Sequence, residues 1–255
     1  MGSATLTGLR AATTFLTRVD VGGHRSDDIA RGVPWFPVVG GIVGVAAALL
    51  YAGAREVLPS FVASSVALAF SVWLTRAFHE DGLADTFDAF GAARSRNDTL
   101  RIMKDPRLGT YGVAAFVFSV AIRLGALAAI DATAALAVLP AAHALSRAGA
   151  VALLRGSVAT DEGLGASYAS VVAPSGIWGA MGAGLVIGLV TLGPVAAGAI
   201  AAVAVVDLVV ARAARARIGG VTGDVLGAAQ QLGEIVVLLV GVTSVQRGWL
   251  DVPWW

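Results

Sequence analysis

The sequence predicts an all-α fold: a polytopic integral membrane helical bundle of about seven transmembrane helices plus an N-terminal interfacial or re-entrant helix, in one membrane-embedded domain over residues 1–255. Three observations carry this. Hydrophobic residues make up 57% of the chain and charged residues 14%, against roughly 25% charged in ordinary soluble domains. Apolar stretches of about 20 residues, enough for a helix to cross roughly 30 Å of hydrocarbon, recur along the length. The strict apolar–polar alternation of a barrel is absent, so helices must satisfy the backbone in lipid. The 32 glycines suit close packing of such helices.

Residues 4–18 put Leu6, Leu9, Thr13 and Leu16 near one face, interrupted by Arg10 and Arg18, which fits a helix in the interface better than a span. A polar loop with His24, Arg25, Asp27, Asp28 and Arg31 follows, and residues 34–54 are the first span. Arg55, Glu56 and Pro59 mark a short exit before 60–74 returns. Residues 109–130 and 132–154 are the next two spans, with little more than Asp131 between them. After a polar loop carrying Asp161 and Glu162 come 177–192 and 195–211, broken at Gly193-Pro194, and finally 225–245. No secretory signal is expected at the N-terminus, so the first span should act as the insertion signal.

Orientation follows from the cations. With the N-terminus inside, the Arg and Lys residues outside the spans divide 14 to 2 in favour of the inside, which obeys the positive-inside rule and puts every motif-bearing loop in the cytoplasm. The absence of cysteine removes disulfides, thiolate catalysis and Cys-based metal centres, leaving oxygen and imidazole ligands. A net charge of +1 and the lack of a basic, aromatic-interleaved stripe argue against nucleic acid as a partner.

The segment from 76 to 112 holds six of the 17 acids and six of the 18 bases. Within it His79-Glu80-Asp81-Gly82 opens a series in which Asp81, Asp85 and Asp88 share one face of a helix. Hard carboxylate oxygens that leave positions for phosphate and water are what magnesium takes. The plainer reading is a solvated acidic helix end beside arginines; Gly82, which weakens a helix, points instead to a close approach of ligand or backbone. The second piece, residues 100–112, contains Lys104, the only lysine, between Arg101 and Arg107 and followed by Asp105-Pro106. These cations suit phosphate, although an anchor at the mouth of a span would look similar. The third, residues 219–224, is a glycine-rich turn with Gly220, Thr222, Gly223 and Asp224 leading into a helix, where free N–H groups attract anions. A connector with Asp224 capping the helix is its competitor. Arg123, His143, Arg147, Asp207 and Glu234 fall inside spans and should face the bundle interior, Asp207 with Arg123 as a candidate internal pair and His143 with Arg147 as candidates to line the aspartate cavity.

Together these pieces resemble the cobalamin synthase family, adenosylcobinamide-GDP ribazoletransferase. The resemblance runs through HEDGLADTFDAFGA, RIMKDPRLGTYGVAA and GGVTGDVLGAAQQLGE, with FLTRVDV and WFPVVGGIVG near the start, in matching order over nearly the full length. It departs at Glu80, where the family often has an apolar residue, and at Pro106, where Ser is common. The resemblance implies a multi-pass inner-membrane transferase with its active site facing the cytoplasm. It would join adenosylcobinamide-GDP to α-ribazole or its 5′-phosphate, release GMP and require Mg2+. It implies a metal- and phosphate-binding motif at Asp81, Asp85 and Asp88, with His79 and Glu80 beside it and Lys104, Asp105, Thr222, Gly223 and Asp224 as the other motif positions. For such a transfer the candidate catalytic groups are Lys104 and, as general base, one of Asp88, Glu80 and His79; Arg101, Lys104, Arg107, Gly220, Thr222 and Gly223 are the candidates to bind phosphate, and Asp105 or Asp224 could complete the metal site. The lipid bilayer is the expected surrounding, and a homo-oligomer or association with other cobalamin assembly enzymes is an open expectation. CDP-alcohol phosphotransferases and prenyltransferases are the nearest alternatives, but Asp81-Gly82 is followed by Leu-Ala-Asp rather than Ala-Arg, and a second aspartate-rich motif is missing. A transporter would gather its charges near the bilayer midplane, whereas the densest cluster here lies at a boundary.

Overall fold

The computed structural model describes residues 2–22, 28–156, 158–159 and 172–251; His24, Arg25, Asp27, Asp161 and Glu162 lie outside the described residues. Apart from 3-10 turns and an isolated bridge between Val158 and Val221, the regular structure of the described residues is α-helical. The helices are α1 (Gly2–Leu16), α2 (Ile29–Gly32), α3 (Phe36–Arg55), α4 (Ser60–Leu74), α5 (Phe78–Ala92), α6 (Arg96–Met103), α7 (Thr110–Ala128), α8 (Ala132–Ala152), α9 (Pro174–Leu192), α10 (Ala196–Ile218) and α11 (Gly223–Gln246).

Helix α8 is the axis, packed by α3, α9 and α11 and buried along most of its length. Its alanines let neighbours come close, and α3 answers with Gly40 and Gly44. A Cβ at either would meet the carbonyl of His143 or Leu139 across the contact, the small-xxx-small logic of membrane packing. Asp131 caps α8 by accepting the Ala134 N–H at 2.7 Å. Tyr51 donates to the Ile130 carbonyl at 2.9 Å, satisfying backbone just past the end of α7.

Among the described residues five continuous helical stretches are long and apolar enough to cross a membrane, or six if the bent pair α4–α5 counts as one. One of the five, Pro174–Ile218, is 45 residues long and turns at Gly193, where φ is 54°. Gly184 on its first arm lies against Ala148, and Asp207 on its second lies against Gly149, so α9 and α10 pass the same level of α8 in opposite directions. The seven expected spans correspond to α3, α4, α7, α8, α9, α10 and α11, of which α4, at 15 residues, is long enough only together with α5. Helix α1 packs Ala12 and Leu16 on Phe36 and Val39 of α3 instead of crossing, in keeping with its interrupted apolar face. Helix α10 runs past the expected end at 211 to Ile218, because Ala and Arg are strong helix formers and Arg215 and Arg217 favour the negative end of the dipole. It stops at Gly219, whose φ of 88° suits only glycine without strain.

Inside the bundle, Arg123 binds Glu80 at 3.1 Å and Glu234 at 3.3 Å, and His143 Nδ1 lies 3.2 Å from Glu234. Gln230 and Gln231 extend this network to Ser146 and back to Glu80. The expected pair of Asp207 with Arg123 does not form. Arg123 is on α7, which packs on α4, α5 and α11, while Asp207 faces α8 from α10.

Candidate functional site

The three sequence motifs meet at one end of the bundle, and two glycines bring this about. Helices α5 and α11 cross at Gly82 and Gly227: a Cβ on Gly82 would strike the Asp224 backbone, and Gly227 lies against Gly82 and His79. The close approach anticipated at Gly82 is therefore to backbone, and it draws Asp224, in the first turn of α11, to the carboxylates of α5. Thr222, not Asp224, caps α11, accepting the Val225 N–H at 3.3 Å. Its hydroxyl also meets Met103 Sδ of α6 at 3.9 Å. Arg96 adds a second tie that its motif does not advertise: Nε donates to the Ile218 carbonyl at 3.0 Å and Nη2 to Ala159 at 2.6 Å, fastening α6 to the end of α10.

Acids that look alike in sequence separate sharply here. Asp85 is half-buried on α5, which turns 88° away from α4. Its carboxyl is pushed up to about 7, first by burial and then by the negative charges of Asp81, Asp224 and Asp88. Asp81 is exposed beside it.

Asp88, expected to bind metal or act as a base, has another task. Buried, it accepts the Gly109 N–H at 2.5 Å and the Gly112 N–H at 2.8 Å, one on each oxygen, and so caps the start of α7. Both glycines abut its carboxylate, leaving no room for a side chain. Glu80 points the other way, into the Arg123 network, because one residue along a helix rotates a side chain by about 100°. His79 is buried edge-on to Phe78 and borders a cavity of about 60 Å3 with Arg147 and Gly223, apart from the aspartate face. Arg147 donates to the His143 carbonyl at 2.9 Å, so that pair belongs to the interior and not to the aspartate cavity.

Among the basic residues, Arg101 pairs with Asp98 at 2.6 Å. Asp105 is gripped by Arg107 through 3.0 and 2.7 Å bonds, which hold its carboxyl at about 2 and occupy both oxygens. Lys104 ends α6, exposed, with no side-chain partner among the described residues. Gly220 is buried under the turn and Gly223 begins α11.

Among the described residues no three potential ligands converge tightly enough to enclose a metal. The free donors of the cluster, Asp81, Asp85 and Asp224, are all hard oxygens set close enough to repel one another. That open set fits an ion such as magnesium, which keeps several waters or phosphate oxygens, and not one that demands a complete protein cage.

Residues 8–242 match the cobalamin-5-phosphate synthase family. The chain is 42% identical over 241 residues to adenosylcobinamide-GDP ribazoletransferase of Bradyrhizobium diazoefficiens, covering 91% of this chain and 92% of that one. It is 42% identical over 240 residues to the enzyme of that name from Ralstonia nicotianae, covering 90% and 92%. For the Leptothrix cholodnii enzyme the identity is 37% over 266 residues, covering 95% and 94%. No solved structure matches the chain. Matched along nearly its whole length, the chain belongs to the cobalamin-5-phosphate synthase family.

Proposed function

We infer that this protein is a membrane transferase that joins adenosylcobinamide-GDP to α-ribazole or its 5′-phosphate, the final assembly of the cobalamin nucleotide loop. The product is adenosylcobalamin or its 5′-phosphate, with GMP released. The observation that carries this reading is the meeting of Asp81, Asp85 and Asp224 from α5 and α11 beside the basic α6 segment, in a chain so similar to enzymes of that name.

In the reaction, a ribazole hydroxyl oxygen attacks the cobinamide-side phosphorus, a P–O bond forms, and the bond to GMP breaks. Asp81, the exposed carboxylate of the row, is placed to receive the hydroxyl proton. Lys104 offers an unpaired ammonium to phosphate oxygens, and the exposed Arg101 and Arg107 can exchange their half-buried carboxylate partners for phosphate. The N–H groups at Gly220 to Gly223 and the positive end of α11 favour the same charge. Asp85 and Asp224, with Asp81 at their edge, are the residues that would hold magnesium; when bound, it supplies charge neutralisation for the diphosphate and the leaving GMP. Asp88, Glu80 and His79 serve by holding α5 in place.

The motif end of the bundle faces the cytoplasm of a cell inner membrane in this reading, supported by the 14 to 2 division of cations. A transport role draws no support from the interior charges, since Arg123, Glu80 and Glu234 are spent on one another. The test is to reconstitute the protein in vesicles with adenosylcobinamide-GDP, α-ribazole and magnesium and to follow GMP and cobalamin. Product should appear and vanish on chelation; uptake without product would refute the reading.

A further inference from the structure

A second cavity adjoins the carboxylate row and is used by no step above. It has a volume of about 560 Å3 and lies between α1 and the α4–α5 corner, lined among others by Thr14 and Phe15 of α1 and by Thr75, Arg76, Phe78 and Asp81. That size suits a nucleoside-sized organic ligand and far exceeds what a hydrated cation needs. Its walls are divided. Half-buried Phe15 and Phe78 meet edge to face at 5.2 Å, giving an aromatic surface, while Arg76 and Asp81 supply opposite charges. Because Asp81 is common to the cavity and the carboxylate row, a ligand seated here reaches the reacting end.

The corner itself is unusual. Arg76 and Ala77 have φ of 59° and 55°, two consecutive non-glycine residues in the left-handed region, each costing on the order of 1 kcal/mol or more. The strain is held by the Ala77 N–H donating to Val72 at 2.9 Å and by Arg18, which donates to the Trp73 carbonyl at 2.6 Å and lies 4.5 Å over the Trp73 ring. It leaves the Arg76 guanidinium exposed at the cavity edge with no carboxylate or other side-chain partner among the described residues. A continuous helix from α4 would carry the chain past the cavity.

Resting on the transferase reading, we infer that this cavity is the acceptor subsite. The planar base of α-ribazole packs on Phe15 and Phe78, and Arg76 binds the 5′-phosphate of the phosphorylated acceptor. Arg76 is thus a specificity-determining residue that favours the phosphorylated acceptor over the free nucleoside, while the α6 cations serve the donor diphosphate.

The experiment measures binding of α-ribazole and of α-ribazole 5′-phosphate to the purified protein in nanodiscs without donor, by benzimidazole fluorescence, together with steady-state kinetics. Arg76→Gln should weaken the phosphorylated acceptor about tenfold and leave the free nucleoside unchanged, as loss of one charge-assisted contact predicts. Phe15→Ala should weaken both acceptors roughly tenfold, with Phe15→Leu, which keeps apolar volume, as the control for folding. Neither Arg76→Gln nor Phe15→Leu should raise KM for adenosylcobinamide-GDP. Acceptor affinity unaltered in both Arg76→Gln and Phe15→Ala, or a raised donor KM in its place, would overturn the assignment. Wild-type protein that binds both acceptors in this pattern but forms no product would count against the reaction and for the subsite.

Discussion

Glu80 and Asp81 are neighbours in the chain and opposites in the fold. Glu80 is 4% exposed and has Arg123 at 3.1 Å, a counter-ion built in from another helix. Asp81 is exposed, and no basic side chain of the described residues forms an ion pair with it, Asp85 or Asp224. An acid whose counter-charge is supplied by the fold holds helices together; one left facing only other acids is stable when a cation or proton arrives from outside. The difference separates the two carboxylate populations of this protein better than residue type does.

The sharpest way to break the comparison is at Asp85. Asp85→Asn should lower turnover about a thousandfold, the scale of losing several kcal/mol of metal-assisted charge stabilisation, without lowering the thermal melt of the metal-free protein. A comparable fall in melting temperature would place Asp85 among the structural acids. Glu80→Leu should do the reverse, costing about 3–5 kcal/mol of stability by leaving buried positive charge uncompensated, and Glu80→Leu with Arg123→Leu should recover most of it. Chemical denaturation in detergent reads both. Asp88→Ala should cost about 2 kcal/mol through two orphaned N–H groups of α7 while magnesium affinity holds.

Smaller still is the pH effect. Asp85 titrates at about 7 because burial and its acidic neighbours favour the proton, so the protein without metal loses stability relative to the unfolded chain as pH rises from the ordinary carboxyl value of 3.8 to about 7, and the loss levels off above that. A proton and a metal compete for it. Magnesium affinity should therefore fall up to about tenfold per unit as pH drops below 7 and level off above, which calorimetric titration at several pH values would check. Asp105→Asn, at an exposed pair with Arg107, should leave melting unchanged, and a large loss of stability there would contradict the division.

Much of this was legible in the sequence. Span lengths follow from hydrocarbon thickness, and the observed helices begin and end within a few residues of expectation except where Arg212 to Ile218 extend α10. The gathering of three motifs at one end follows from counting crossings. What could not be read was the division of labour among acids of one type. Asp88 lies on the same helix face as Asp81 and Asp85, and only the arrival of Gly109 and Gly112 gives it a cap to make. Glu80 finds its partner on α7, a choice of rotation that periodicity within α5 does not encode. The proposed link between Asp207 and Arg123 failed for the same reason: similar depth in a membrane says nothing about which helices are neighbours.

The contact of Gly82 with Gly227 also bears on how the protein is made. One half of the carboxylate cluster sits on the fifth helix and the other on α11, the last to leave the ribosome among those described. Insertion of the earlier helices leaves the aspartates of α5 without Asp224. If the proposed site is the working one, it is complete only once α11 has docked beside α5, and a lesion that delays that helix would silence the enzyme however intact its aspartates are.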